Sequence, residues 1–293
     1  MGTCIYINGE YYTDRDKACV SVFDHGYLYG DGVFEGIRVY DGLIFKCKEH
    51  INRLYESAKS LLLDIQISQA ELTNLLVETV RRSELRDAYV RLVVSRGIGD
   101  LGLDIRLCKK PTVVIIVDKI SLYPPACYEN GLKVITTTTR RSRPDSLNCQ
   151  IKSCNYLNNI LAKIEVIRAG ADEGIMLNDA GYVTEATADN IFIVSNDLLI
   201  TPSHYFGILQ GITRNTILRI ALDMGLQAEV WGILVHDIYN AEECFLSGSA
   251  AEIIPVVECD GRVIADGKPG PIFKKLLGRF RETTKTEGIL VYS

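Results

Sequence analysis

Turn residues that tolerate positive φ recur between short β-branched runs, and this constrains the chain more than any other feature. "CIYINGEYY" alternates around Asn8-Gly9, and "GVFEGIRVY" and "LIFKC" flank Asp41-Gly42. Such pairs close antiparallel hairpins, because the right-handed twist of strands selects turns with φ above zero, where Asn, Asp and Gly cost least. The same grammar returns in "EGIMLNDAGYVTEATADNIFIVSNDLLITP", with turns at Asp179-Ala180-Gly181 and Asn196-Asp197. Antiparallel strands therefore open the chain and reappear in its second half.

Helical spacing follows the first hairpins. Ile51, Leu54, Tyr55, Ala58, Leu61 and Leu62 form an apolar stripe, and Leu72, Leu75, Leu76 and Val80 form another. "AYVRLVVSR" and "TVVIIVDK" then return to strands. "SLYPPACYENG" carries prolines and no periodicity, which suits an interdomain linker. At 293 residues the chain is long enough for two domains. We expect a smaller α/β unit over 1–120, the linker over 121–130 and a larger α/β unit over 131–293. The latter holds a strand in "LKVITTTT" and a helix in "TRNTILRIALDM", with Ile217, Leu218, Ala221 and Met224 on one face and Gly225 at its stop. "PIFKKLLGRFRE" is a final helix. The expected fold class is mixed α/β, with predominantly antiparallel or mixed sheets and flanking helices.

A formal charge of −5, with no basic run beyond pairs such as Arg140-Arg141, argues against a nucleic-acid partner. No apolar run reaches the roughly 18 residues of a membrane span, and "MGTCIYINGE" has neither a basic leader nor an apolar signal core. Nine cysteines without a C-x-x-C suggest neither a disulfide framework nor a zinc site. The expectation is a cytoplasmic protein without metal, acting on small molecules. "GIGDLG", Gly97 to Gly102, matches a dinucleotide fingerprint, but that motif needs a helix directly after it to hold a pyrophosphate. "LDIRLCKKP" follows instead and has no helical stripe. A close-approach loop is the better reading, with a dinucleotide-dependent oxidoreductase as the remote alternative.

Lys152, in "CQIKSCNYLNNILAKIEV", stands between a polar run and an apolar-striped helix. A pyridoxal phosphate enzyme needs an amine for the aldehyde, a carboxylate for the pyridinium nitrogen, a donor for the phenolate oxygen and an anion site for the phosphate. Lys152 is the amine candidate and Glu185, inside a strand-like run, the carboxylate. Tyr156 lies four residues past Lys152, about one turn away if the helix has begun. Gly211 and Thr213 open a helix whose free N–H groups and dipole suit an anion, and Gly248-Ser249-Ala250 pairs a permissive backbone with a hydroxyl. Arg53, about 200° around its helix from Ile51, avoids the apolar stripe. Each also has an ordinary reading: a solvated lysine or arginine, an exposed glutamate, a half-buried tyrosine, a threonine cap.

"YGDGVFEGIR", "HINRL", "YVR", "KSCNYL", "EATADNIF", "LQGITR" and "SGSAAEI" occur in the order and approximate spacing of class IV aminotransferases. From about Tyr6 to the end, the chain resembles that family, and most closely its branched-chain amino-acid members. The resemblance implies pyridoxal phosphate fold type IV, the fold of D-amino-acid aminotransferases. It also implies amino transfer from L-leucine, L-isoleucine and L-valine to 2-oxoglutarate by a ping-pong route, as in branched-chain amino-acid biosynthesis. Lys152 would be the Schiff-base lysine and proton-transfer base, Glu185 the ring-nitrogen partner and Tyr156 the phenolate donor. Arg53, Ile212, Thr213 and Ser249 would hold the phosphate beside Gly211, with Leu209 on the ring. Tyr89 and Arg91 share a strand face; with Tyr29, Phe34, Ser249 and Ala250 they would receive the substrate. The glycine loop would reach a neighbouring subunit, implying a homodimer or dimer-based homo-oligomer. Tyr123 or Tyr128 would border the pocket. Ser249 replaces a more frequent Thr and keeps the hydroxyl. A D-amino-acid aminotransferase or an aminodeoxychorismate lyase would use the same lysine and glutamate. The D-specific enzymes, however, typically carry an R-x-H element where this chain has "IGDLGLD".

Overall fold

A computed structural model describes residues 2–120 and 123–292. Met1, Ser293, and Ser121 with Leu122 at the start of the expected linker, lie outside the described residues. The chain forms two compact units. The first comprises Met1–Ser121, Ile151–Asn155 and Thr283–Ser293, and the second Leu122–Gln150 and Tyr156–Glu282. The first unit therefore takes back two short segments from beyond the linker.

In chain order, the first unit begins with β1 (Cys4–Ile7), β2 (Glu10–Tyr12), α1 (His25–Tyr29), β3 (Gly32–Tyr40), β4 (Leu43–Phe45), α2 (Cys47–Ser60), α3 (Gln69–Ser83), β5 (Ala88–Ser95) and β6 (Thr112–Asp118). The second unit holds α4 (Pro125–Asn130), β7 (Leu132–Thr136), α5 (Leu157–Ala169), β8 (Glu173–Leu177), β9 (Val183–Ala186), β10 (Asn190–Ser195), β11 (Leu198–Pro202), α6 (Ile212–Asp223), β12 (Ala228–Trp231), α7 (Val235–Tyr239), β13 (Glu243–Gly248), β14 (Glu252–Cys259), β15 (Arg262–Val263) and α8 (Pro271–Thr283). β16 (Gly288–Leu290) returns to the first unit.

The first sheet has seven strands in the order β16-β4-β3-β5-β6-β1-β2, all pairs antiparallel. Its hairpins close as expected, at Asn8 (φ 45) with Gly9 (φ 105) and at Asp41 (φ 43) with Gly42 (φ 81). Ala88, Val90, Leu92 and Val94 of β5 are buried in a core shared with Ile51 and Leu54 of α2 and Leu72 and Leu76 of α3, while Tyr89, Arg91 and Val93 alternate away from it. Beside β3, β4 pairs only at Val39 and Tyr40. The lysine segment pairs further along: Cys154 N–H donates to Gly32 O at 2.8 Å and Phe34 N–H to Lys152 O at 2.9 Å.

The second sheet has nine strands, in the order β12-β11-β10-β13-β14-β7-β8-β9 with β15 on β14. Its pairs β11–β12, β14–β7 and β7–β8 are parallel, so this sheet is mixed. Two local expectations change here. Pro125–Asn130, expected as linker, is a short helix; a proline at its first turn presets φ and forfeits an N–H that would be unpaired anyway, and Gly131 (φ 82) ends it. α6 buries Ile217 and Ala221 of the expected face, but its inward side extends over Ile220, Thr213, Arg214 and Thr216 and leaves Leu218 and Met224 half-buried. No described helix is long and apolar enough to cross a membrane.

The "GIGDLG" loop leads into a single 3-10 turn at Ile105–Leu107 and then β6, so no helix opens behind it. Gly97 has φ 93, and a Cβ there would collide with the Lys110 carbonyl. Gly97→Ala is expected to destabilise the protein by more than about 1 kcal/mol, since strain and collision add. Urea unfolding of the two proteins measures this.

Candidate active site

In the first unit, Lys152 is fixed through its backbone. Besides its carbonyl bond to Phe34, its N–H donates to Ser57 Oγ of α2 at 3.1 Å. The buried Phe34 ring lies beneath both the Arg91 guanidinium, 3.3 Å from the centroid, and Lys152 Nζ, at 4.5 Å. An apolar wall, a permanent charge and an amine thus share one place. Tyr89 alternates to the same strand face as Arg91, and a Cβ on Gly36 would collide with its hydroxyl. That glycine is what lets the tyrosine lie across β3. Tyr29, at the end of α1, accepts from Gly102 N–H at 2.9 Å, which ties it to the glycine loop.

Arg53 is not the solvated arginine that its helix face allowed. Its side chain is 12% exposed, and Nε and Nη2 donate to the buried Glu35 carboxylate at 2.8 and 2.7 Å. His50, one turn earlier on α2, adds Nδ1 at 2.7 Å. Burial alone pushes Glu35 up, but the Arg53 charge and the donors from Arg53 and His50 outweigh it, lowering its pKa from 4.5 to about 2. Burial lowers His50 despite its bond to Glu35, so at neutral pH it is the uncharged tautomer with the proton on Nδ1.

In the second unit, Glu185 lies buried on β9. Its Oε1 accepts from Arg141 Nε and Nη2 at 3.0 and 2.8 Å; its Oε2 accepts from Leu209 N–H at 2.9 Å and Asn190 Nδ2 at 3.2 Å. Asn190 also donates to Leu209 O at 2.9 Å. Gly211 is needed here for space, because its φ of −64 suits any residue whereas a Cβ would collide with Asn190 Oδ1. It is the N-cap of α6 with no side-chain cap bond, and Ile212 and buried Thr213 follow as the first helical residues. Ser249 and Ala250 occupy the turn between β13 and β14, and Tyr128 donates to the next carbonyl, Ala251 O, at 3.0 Å. Tyr123 donates to Glu173 at 3.3 Å. Tyr156 is the N-cap of α5, so the helix begins only after it and the expected one-turn spacing from Lys152 does not exist. Lys152 lies in the extended segment paired with β3.

The family profile described as amino-transferase class IV matches residues 32–259. The chain belongs to the class IV aminotransferases. A Methanocaldococcus jannaschii protein named "Putative branched-chain-amino-acid aminotransferase" is 51% identical over 98% of this chain and 99% of its own length. A Bacillus licheniformis protein named D-alanine aminotransferase is 36% identical over 90% of this chain and 91% of its own. The crystal structure of an Escherichia coli branched-chain amino acid aminotransferase superposes with a TM-score of 0.94 at 31% identity, covering 99% and 97% of the two chains. The chain is therefore a pyridoxal-phosphate-dependent transaminase of mixed α/β fold. Its residues fit that cofactor: a buried carboxylate gripped by donors, and an uncapped helix start behind a glycine that admits no Cβ.

Glu35, His50, Arg141 and Asn190 were not singled out in the sequence. "HINRL" did carry a signal, since His50 and Arg53 three residues apart share a helix face, and Glu35 is a charge inside a strand. The sign of their pH dependence follows. Both folded pKa values lie below the ordinary ones, so below 6.5 for His50 and 4.5 for Glu35 the unfolded chain binds more protons, and stability falls as pH falls. Glu35 contributes about 3 kcal/mol at neutral pH, lost between pH 4.5 and about 2. Urea midpoints measured against pH should show this decline. Glu35→Gln should remove its lower part and cost roughly 3–5 kcal/mol at neutral pH, because Arg53 is left buried without its carboxylate.

Proposed function

We propose that this enzyme moves the amino group of L-leucine, L-isoleucine and L-valine to 2-oxoglutarate in two half-reactions, yielding branched 2-oxo acids and L-glutamate. The carrying observation is the Phe34 ring with Arg91 and Lys152 both over it. A site that accepts both leucine and glutamate needs an apolar wall with a charge at its edge. Bound pyridoxal phosphate supplies an aldehyde that takes the amino group and a protonated ring that draws electrons from the substrate α-carbon. Lys152 Nζ is its attachment point and, once released, the base that moves the proton at that α-carbon. Glu185 keeps the ring nitrogen protonated, Tyr156 donates to the phenolate oxygen and Leu209 packs on the ring. Arg53, aligned by Glu35, joins Thr213, Ser249 and the N–H of Ile212 around the phosphate, with Gly211 opening the approach. Tyr89 and the backbone N–H groups of Ser249 and Ala250 hold the α-carboxylate. Arg91 receives the glutamate side chain, and Tyr29 and Phe34 form the apolar walls.

The working form is a cytoplasmic homodimer or an assembly of such dimers. Exposed Ile98, Leu101 and Leu103 on the glycine loop support this, as do exposed Leu157, Ile160, Leu161 and Ile164 at helical spacing on α5. A D-amino-acid aminotransferase is the second reading, supported by the D-alanine aminotransferase relative. The absence of an R-x-H element after "SRG" weighs against it.

Purified holoenzyme should absorb visible light. Lys152→Ala should lose that band and more than about a hundredfold in turnover. With 2-oxoglutarate, each of the three branched L-amino acids should yield glutamate; consumption of D-alanine alone would overturn the proposal.

A further inference from the structure

Each of the three nitrogens of the Arg141 guanidinium is engaged. Nε and Nη2 hold Glu185 Oε1 at 3.0 and 2.8 Å, and Nη1 donates to Asn159 Oδ1 at 2.9 Å and Asn158 Oδ1 at 3.2 Å. Asn159 is itself anchored, its Nδ2 donating to Thr187 O at 2.7 Å. Arg141 and Glu185 are both more than nine-tenths buried. Among the described residues, a second buried guanidinium, Arg214, makes hydrogen bonds only to neutral acceptors, Thr201 Oγ1, Pro202 O and Asn215 Oδ1. Its charge acts on Glu185 electrostatically rather than by contact. Two buried cations thus act on one carboxylate, more than a structural ion pair needs, and for Arg214 burial costs more than its attraction to Glu185 returns.

We propose that Arg141 is a positioning residue for the cofactor: it keeps Glu185 oriented and anionic, so that the proton shared with the ring nitrogen stays on the nitrogen. This rests on the reading of Glu185 as the ring-nitrogen partner. A carboxylate that already accepts two guanidinium bonds is a weaker base than one that accepts none, so the shared proton goes to the ring. Leu209 N–H and Asn190 Nδ2 aim the other oxygen, at 2.9 and 3.2 Å. Methionine at position 141 would fill the space but leave Glu185 free to take the proton, and the ring would become neutral.

The test uses holoenzyme loaded with pyridoxal phosphate labelled with 15N in the ring. In the wild-type protein the ring-nitrogen shift lies in the protonated range. Arg141→Met should move it toward neutral pyridine and weaken cofactor binding, read by spectral titration, by about tenfold or more. Arg141→Lys keeps one charge without the fork, so it should move the shift part of the way. If the methionine variant does not fold, the lysine variant carries the test. A wild-type shift and affinity in the folded variant would overturn the role of Arg141, since a merely structural residue leaves the ring proton alone. Glu185→Gln separates the two levels. If it too keeps the protonated shift, the ring-partner reading falls and the Arg141 role with it. If it loses that shift while the Arg141 variants keep theirs, only the Arg141 role falls.

Discussion

Two main-chain hydrogen bonds to the start of β3 decide where Lys152 sits. β3 has β5 along one edge, whereas β4 covers only Val39 and Tyr40 of the other. Unpaired strand groups are costly when buried, and residues 152–154 satisfy them at Gly32 and Phe34. A lysine in an ordinary loop would spend rotamer and backbone freedom whenever it acted. Here the Cα is already held by the sheet and by Ser57, and only the flexible stem remains to be ordered. The same pairing puts the amine over Phe34, because the residue that bonds Lys152 is the residue whose ring lies beneath it.

A second constraint recurs in both units, a buried carboxylate clamped by a guanidinium. Glu35 is gripped by Arg53 in the first and Glu185 by Arg141 in the second. In both pairs the attraction and hydrogen bonds outweigh the burial of the charges, as the lowered Glu35 and raised Arg141 pKa values show. Their further value lies in orientation. Arginine presents a rigid fork that a lysine ammonium lacks: Arg53 meets both oxygens of Glu35, whereas Arg141 closes both nitrogens on Oε1 of Glu185 and leaves Oε2 to Leu209 and Asn190. Arg53 is held by a carboxylate and Glu185 by an arginine. In each, the group proposed to face the cofactor is kept in place by an opposite charge behind it.

The sequence made local structure legible and left long-range pairing obscure. Hairpins at Asn8-Gly9 and Asp41-Gly42, the stripes of α2 and α3 and the alternation of β5 were readable, since each is set by residues within a few positions, except that Leu61 and Leu62 lie past the end of α2 and Leu62 is exposed. The α4 helix was hidden because proline reads as a breaker although it starts a helix well. Tyr156 was placed a turn from Lys152 because periodicity shows that a helix is present more reliably than where it begins. Arg141 looked like half of a basic pair. Its meaning lies 44 residues downstream, in a carboxylate that no local pattern connects to it.

Glycine separates these two kinds of information most sharply. The conspicuous "GIGDLG" run resembles a nucleotide motif, yet the structural work of Gly97 is a backbone turn with φ 93 against the Lys110 carbonyl. The inconspicuous glycines are those that shape the proposed site. Gly36 sits mid-strand, where glycine weakens a sheet, and its missing Cβ is the space occupied by the Tyr89 hydroxyl. Gly211 has a φ open to any residue, and its missing Cβ is the space occupied by the Asn190 amide that steadies Glu185. Conformational need can be guessed from neighbouring residues; need for room depends on what folds in from elsewhere. A glycine whose backbone does not require it, inside a regular element, is therefore the stronger sign that another side chain has been given its place.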